Sequence, residues 1–250
     1  MDLGLSGKAC LVSGSTGGIG LETARILVGE GARVVTSGRG DAPGIGEALH
    51  VRADLSEPDA PATVVGAAAV ALGGLDVLVN NVGFAVQARF EDVADEEWSA
   101  MWELNVMSYV RAIRAALPHL RASRGSIVNV SSTAGKRPSV GMPHYSVTKA
   151  AVLSLSRLVA DAYAGEGIRC NAVTPGPTAT AAWLDEGGLA DQQGGDREAV
   201  LAKVGAGRPL GRLAGPEEIG AVIAFLASER ASYVTGAAWS ADGGTVAIII

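Results

Sequence analysis

Residues 8–13 (Lys-Ala-Cys-Leu-Val-Ser) form a short apolar run that stops at glycine, and the chain continues Gly-Ser-Thr-Gly-Gly-Ile-Gly. An apolar run of this length, without polar alternation, reads as a strand covered on both faces. Residues 19–28 then read as a helix. Strand, glycine-rich turn and helix in this order open a βαβ unit of the dinucleotide-binding type. The glycines have distinct physical uses. One permits a turn that other residues strain to make, and the others let an anion approach the backbone N–H groups at a helix N-terminus. A plain helix cap is the other reading of the same residues.

The rest of the chain alternates in the same way. Strands are predicted over 33–37, 49–53, 75–79, 126–130, 168–173 and 233–242, and helices over 58–72, 95–122, 145–164 and 219–228. Asp95 is expected at an N-cap with acidic residues in the first turn after it, and Pro118 is expected to kink or end that helix. Between residues 39 and 49 a crossover helix is not expected, because Pro43, Gly44 and Gly46 interrupt it. His50 reads as an ordinary strand residue with no partner. Seven strands joined by helices imply an α/β, doubly wound parallel sheet.

Composition agrees. Of 250 residues, 48% are hydrophobic and 18% charged, enough apolar material for a large core in one domain spanning residues 1–250. The net charge of −6, without a basic run, argues against nucleic acid as a partner. No apolar run approaches the roughly twenty residues of a membrane span. Residues 1–6 have neither the charged nor the apolar region of a secretory leader, so a cytoplasmic location and no membrane partner are expected. Cys10 and Cys170 read as separate buried thiols, and no metal site is expected.

The chemistry points to Ser132, Tyr145 and Lys149. Tyr145 and Lys149 lie four apart, on one face of a helix. Free tyrosine has a pKa of about 10 and is a poor acid–base catalyst at neutral pH. A neighbouring ammonium favours the phenolate, so Lys149 is expected to draw the pKa of Tyr145 down. Ser132, thirteen residues before Tyr145 at the end of a strand, can hold or polarise a carbonyl. The Tyr–Lys spacing alone is weak, since any solvated helix face can carry it.

With Gly14-Ser15-Thr16-Gly17-Gly18-Ile19-Gly20, Asn80-Asn81-Val82-Gly83, Asn105 and Pro175-Gly176-Pro177-Thr178-Ala179-Thr180, these residues make the chain resemble the short-chain dehydrogenase/reductase family, loosely its 3-oxoacyl thioester reductases, from about residue 7 to 244. The resemblance implies the strand order 3-2-1-4-5-6-7 and a nicotinamide cofactor across the switch point. It assigns Gly14, Ser15, Thr16, Gly18, Ile19 and Gly20 to the cofactor turn. Asp54, followed by Leu55, is assigned to adenine, and Asn81 and Gly83 to the strand end beside the cofactor. Pro175, Gly176 and Thr178 go to the nicotinamide pocket and Thr180 to the carboxamide. Tyr145 and Lys149 also bind the cofactor in such proteins. Asn105 holds a water that connects to the catalytic lysine. Val82 stands where the family usually has Ala. A homotetramer is also implied.

The end of the second strand bears on which cofactor fits. An acidic residue there would bond a ribose 2′-OH, whereas arginine accommodates a 2′-phosphate. This chain has Gly38 and then Arg39, which favours NADP(H). Against that, Gly17 stands where many NADP-using relatives place a basic residue, and NAD stays open.

Residues 181–207 form a Gly-, Asp- and Gln-rich stretch, expected as an irregular lid over the substrate. Phe84, Val86, Val140, Met142, Trp183 and Leu184 suggest an apolar pocket for a small-molecule carbonyl or alcohol, such as a hydrophobic ketone or a 3-oxoacyl thioester. Lys136 and Arg137 suit either a phosphopantetheine-linked carrier or plain surface. The apolar tail 245–250 is expected to pack on its own subunit or a neighbour. Two other readings stand beside a reductase: an NAD-dependent secondary alcohol dehydrogenase, and a nucleotide-binding sensor without chemistry.

Overall fold

Strand β1 (Ala9–Ser13) is buried along its whole length, and its side chains alternate between two cores. Ala9 and Leu11 join the cluster of Leu78, Ile113, Leu120 and Ile127 on one face. Cys10 and Val12 join Leu27, Val79, Ile219 and Ile223 on the other. A strand covered on both sides has no room for polar alternation, which is why the run reads as continuously apolar. The computed structural model describes residues 2–247, so Ile248 to Ile250 of the apolar tail lie outside the described residues.

The remaining strands are β2 (Arg33–Gly38), β3 (Leu49–Arg52), β4 (Val77–Asn80), β5 (Ser126–Val130), β6 (Arg169–Pro175) and β7 (Ala238–Ala241). All pair in parallel, in the order β3-β2-β1-β4-β5-β6-β7. β1 pairs with both β2 and β4, so the strand order reverses there and a crevice opens at the carboxyl ends of these strands. Helix α1 (Gly18–Gly29) leaves from that point. α2 (Ala60–Leu72) and, later, α4 (Ser108–Ser123) cover the opposite face. Residues 40–48 contain no helix, as Pro43 and the glycines require.

Several elements differ from the expected ones. The predicted helix over 95–122 is three segments: α3 (Asp95–Trp102), a π turn (Glu103–Met107) and α4. Ala94, not Asp95, is its N-cap, and Glu97 accepts the Ala94 N–H at 2.9 Å. Asp95 is instead the first helical residue, where its charge still favours the positive end of the helix dipole. α4 runs through Pro118, because both Pro118 and Arg114, whose carbonyl loses its partner, are exposed to water. A short helix α5 (Thr133–Lys136) follows β5, between the predicted strand and the predicted helix over 145–164. Helix α6 (Pro143–Tyr163) begins two residues before Tyr145, with Pro143 at a position that needs no N–H.

The stretch 181–207 is not irregular. It holds α7 (Ala181–Leu184), α8 (Leu189–Gln192) and α9 (Arg197–Ala206). Arg197 clasps Asp191 through two nitrogens at 2.7 and 2.6 Å, and Asp196 caps α9 by accepting the Ala199 N–H. α10 (Pro216–Ala227) packs on α1, close enough that a Cβ on Gly220 would meet the Thr23 backbone nitrogen at 3.1 Å. β7 is shorter than expected, since Gly236 adopts a left-handed conformation just before it.

Candidate active site

The glycine turn sits at the end of β1. Gly14 and Gly18 have φ of 63° and 54°, in the left-handed region that other residues avoid. A Cβ on Gly20 would lie 2.3 Å from the Gly14 carbonyl oxygen, so α1 crosses the turn at a distance only glycine allows. Asn81, at the end of β4, donates its side-chain amide to the Gly14 carbonyl at 2.8 Å and its backbone N–H to Ser13 Oγ at 3.0 Å, locking turn to strand. Ser15 faces inward: its hydroxyl donates to Val12, accepts from Ser37 N–H, and holds β1 to β2. Gly17, the N-cap of α1, offers no side-chain cap. The first N–H groups of α1 are therefore left to a ligand or water, which fits the pyrophosphate of a dinucleotide.

At the adenosine end, Thr16 lies against Gly38 and Gly40. Arg39 is exposed and close enough to Asp54 to help lower its pKa, after the larger effect of the Ser56 N–H and hydroxyl bonded to the Asp54 carboxylate. Leu55 is buried behind it. His50 does have partners: its ring nitrogens lie 2.9 Å from Thr36 Oγ1 and 3.1 Å from the Gly40 carbonyl, tying the 40–48 segment to β2.

A cleft of about 780 Å³ runs from this turn over the ends of β4, β5 and β6. Ile19, Asn81, Gly83, Ser132, Tyr145, Lys149, Pro175, Gly176, Thr178 and Thr180 all line it. Thr180 touches the turn, since a Cβ on Gly18 would meet its methyl at 3.0 Å. Thr178 donates to the Gly176 carbonyl and fixes the bend after β6.

The polar centre is built on α6 and β5. Ser132 caps α5 by accepting the Ala134 N–H at 3.1 Å. Ser131, which sequence reasoning passes over in favour of its neighbour, donates to the Lys149 carbonyl at 2.7 Å and seats α6 on β5. Lys149 is buried, and its Nζ donates to the Val130 carbonyl at 2.9 Å. Burial pulls its pKa down to about 7. The Tyr145 ring centroid lies 5.8 Å from that amine. Burial raises the Tyr145 pKa and hydrogen bonding with Ser132 opposes the rise. The expected lowering by Lys149 is therefore not seen: loss of hydration dominates, and Ser132 is the neighbour that opposes it.

Asn105 lies in the π turn and is fully buried. Its carbonyl accepts the Phe84 N–H at 2.9 Å, and its amide donates to Phe84 O and Thr148 Oγ1 at 3.0 and 3.1 Å. Its direct partners thus clamp the loop after β4 against α6. Gly83 fills the space between it and the amine: a Cβ there would be 3.1 Å from Lys149 Nζ and 3.4 Å from Asn105 Oδ1. His144 stays out of this centre, packed edge-on against Trp98 at 5.8 Å, with burial lowering its pKa. Lys136 folds onto β7, donating to the Ala238 carbonyl at 2.7 Å, so it is not a free charge for a carrier. Gln192 of α8 accepts the Gln87 N–H at 2.8 Å, a contact across the cleft that no local sequence signal marks.

Residues 14–246 match the family model described as enoyl-(acyl carrier protein) reductase. The chain is 39% identical to the uncharacterized oxidoreductase YvrD of Bacillus subtilis, over 98% of this chain and 99% of that one. The chain belongs to the short-chain dehydrogenase/reductase family. It is 39% identical to the cis-4-hydroxycyclohexanecarboxylate dehydrogenase of Sinomonas cyclohexanicum, over 96% of this chain and 97% of that one. The L-sorbose reductase of Gluconobacter frateurii, solved with NADPH and L-sorbose, superposes with a TM-score of 0.93 at 35% identity, covering all of both chains. As a member of this family, the protein is an oxidoreductase acting on an alcohol or ketone with a nicotinamide cofactor.

Proposed function

We propose that the protein interconverts a ketone and a secondary alcohol with NADP(H), and that Tyr145 is the proton donor and acceptor. The observation that carries this reading is the meeting of Ser132, Tyr145 and Lys149 in the cleft that begins at the uncapped end of α1. When bound, the cofactor supplies or accepts the hydride. The Gly14–Gly20 turn holds its phosphates, Asp54 and Arg39 flank its adenosine, and Thr180 and the Pro175–Gly176 bend face its nicotinamide. Ser132 orients the substrate oxygen. Tyr145 gives that oxygen a proton in reduction and removes it in oxidation, which fits general acid–base catalysis worth about 10²–10⁴-fold. Lys149 sets the charge around the phenol, and Asn105 holds the Phe84 loop and, through it, the space beside the amine. Residues 181–207 serve as the lid.

Gly38 followed by the exposed Arg39 supports NADP(H) over NAD(H). The L-sorbose reductase was solved with NADPH, which agrees. Residues 1–250 act as one domain in a cytoplasmic homotetramer. Phe84, Met142 and Trp183 line the cleft and favour a substrate with an apolar body, such as a hydrophobic ketone or a 3-oxoacyl thioester.

Parallel fluorescence titration with NADPH and NADH tests the cofactor. NADPH is expected to bind at least tenfold tighter, about 1.4 kcal/mol, with the gap closing in Arg39→Ala. Equal or tighter binding of NADH would redirect the reading to NAD-linked oxidation, and failure to bind either would overturn it.

A further inference from the structure

The cleft has an uneven charge. Its lining includes Arg137, Lys149 and Arg208, and among the described residues no Asp or Glu lines it, although the whole chain carries a net charge of −6. Lys149 belongs to the catalytic centre. The two arginines do not. Arg137 follows α5, on the Ser132 side of the cleft, and makes no side-chain hydrogen bond or ion pair among the described residues. Arg208 follows α9 at the end of the 181–207 stretch and is half-buried. Its Nε donates to the Val204 carbonyl at 3.1 Å, which holds the stem, while its terminal nitrogens have no partner among the described residues.

Arg208 also lines an adjoining pocket, and the acids there are occupied by other partners. Glu218 and Asp242 line the adjoining pocket, where Glu218 forms a two-pronged pair with Arg212 at 2.6 and 2.7 Å. Asp242 accepts the backbone N–H groups of Gly244 and Val246. The same lining holds the apolar Phe84, Met142, Trp183 and Leu189 beside the uncharged polar Gln87, Ser139 and Gln193.

From this arrangement we infer that the substrate is an oxo or hydroxy carboxylic acid, its carboxylate bound by Arg208 with Arg137 at the rim. The inference rests on the oxidoreductase reading above and narrows the substrate class of that site to a ketone or alcohol with a free carboxylate, in place of a thioester. A guanidinium with its Nε engaged keeps one pair of terminal nitrogens, and that planar fork matches a single carboxylate. The cofactor's phosphates are accounted for at the other end, by the free N–H groups of α1. In a partly desolvated cleft, a charge-assisted pair of this kind also fixes which way round the substrate lies.

The test uses unreactive probes, so it does not depend on finding the true substrate. Calorimetric titration of the full chain with saturating NADP⁺ compares cyclohexanecarboxylate, cyclohexanecarboxamide and cyclohexyl phosphate. Cyclohexanecarboxylate is expected to bind at least tenfold tighter than the other two. Arg208→Gln should remove that preference and Arg137→Gln should reduce it about threefold, both without change in the Kd for NADP⁺. Equal binding of acid and amide, no binding of the acid, or tightest binding of the phosphate would overturn the assignment. So would an Arg208→Gln variant that lost cofactor affinity instead. Failure of the oxidoreductase reading shows separately, as absence of cofactor binding in the titration above.

Discussion

The amine of Lys149 is bound to the carbonyl of Val130 at 2.9 Å and buried beneath Tyr109, whose ring centroid lies 5.5 Å away. A neutral acceptor offsets only part of the lost hydration, which is why the amine falls to about 7. With so few lysines in the chain (Lys8, Lys136, Lys149 and Lys203), ¹⁵N NMR of the side chains can follow each one. One resonance is expected to titrate near neutrality and to vanish in Lys149→Met. An ordinary lysine value for every resonance would contradict the burial described here.

The same shift fixes a dependence of stability on pH. Lys149 has a folded pKa below its unfolded value, so above about pH 7 the unfolded chain binds more protons, and stability rises with pH. From about pH 9 the buried thiols of Cys10 and Cys170, pushed up to about 12, work in the opposite direction, because only the unfolded chain ionises them. Urea titrations between pH 7 and 9 should show stability climbing by at most about 1.4 kcal/mol per pH unit. Lys149→Met should flatten that climb.

Tyr145→Phe keeps the ring and removes the hydroxyl. It should lower kcat by about 10²-fold or more while leaving the cofactor Kd within about twofold. Near-normal turnover in this variant would remove Tyr145 from the mechanism. Because burial raises the Tyr145 pKa in the protein without ligands, its activity against pH should also move when Ser132, the neighbour that opposes the rise, becomes Ala.

Gly20→Ala and Gly17→Ala separate close approach from mere flexibility. A Cβ at 20 meets the Gly14 carbonyl oxygen at 2.3 Å and Asn81 Nδ2 at 2.5 Å, whereas nothing lies within 4 Å of one at 17, where φ is −168°. Cofactor titration should find affinity reduced at least tenfold in the first variant and unchanged in the second.

Asn105→Ala leaves the N–H and carbonyl of Phe84 without their protein partners. The expected loss is about 1–3 kcal/mol in urea unfolding, together with a higher KM, since Phe84 lines the cleft. Asn105→Asp can still accept the Phe84 N–H and should recover part of the stability. Equal losses in both variants would mean that the accepted bond is not the one that matters.

How far the sequence reveals these features depends on how local their causes are. The glycine turn and the Ser132, Tyr145 and Lys149 set are legible because each occupies a short stretch with strong steric or spacing demands. β1 and β4 are legible because burial on both faces leaves nearly continuous apolar runs, whereas β3, at the sheet edge, has no buried residue and is marked only by its place in the alternation. The helices of 181–207 are hidden by glycines, and the Asp191–Arg197 clasp that orders them reveals itself only in three dimensions. Lys136 looks like a surface charge until β7 arrives from 102 residues away and its Ala238 carbonyl accepts a hydrogen bond from the amine. The Tyr145 pKa is misjudged for a related reason: spacing shows that an amine is near, but not that both groups are dehydrated together.

The π turn at Glu103–Met107 holds one residue more than an α turn would. Deleting a single residue there would make it an ordinary α turn and shift Asn105, which lies inside it, around the helix axis. Asn105 would no longer reach Phe84, while α3 and α4 would stay in phase and Trp98 would keep its place against His144. The extra residue of this turn therefore acts as a gauge for the polar centre, and its removal would be felt in the cleft as a misplaced amide, not as a lost turn.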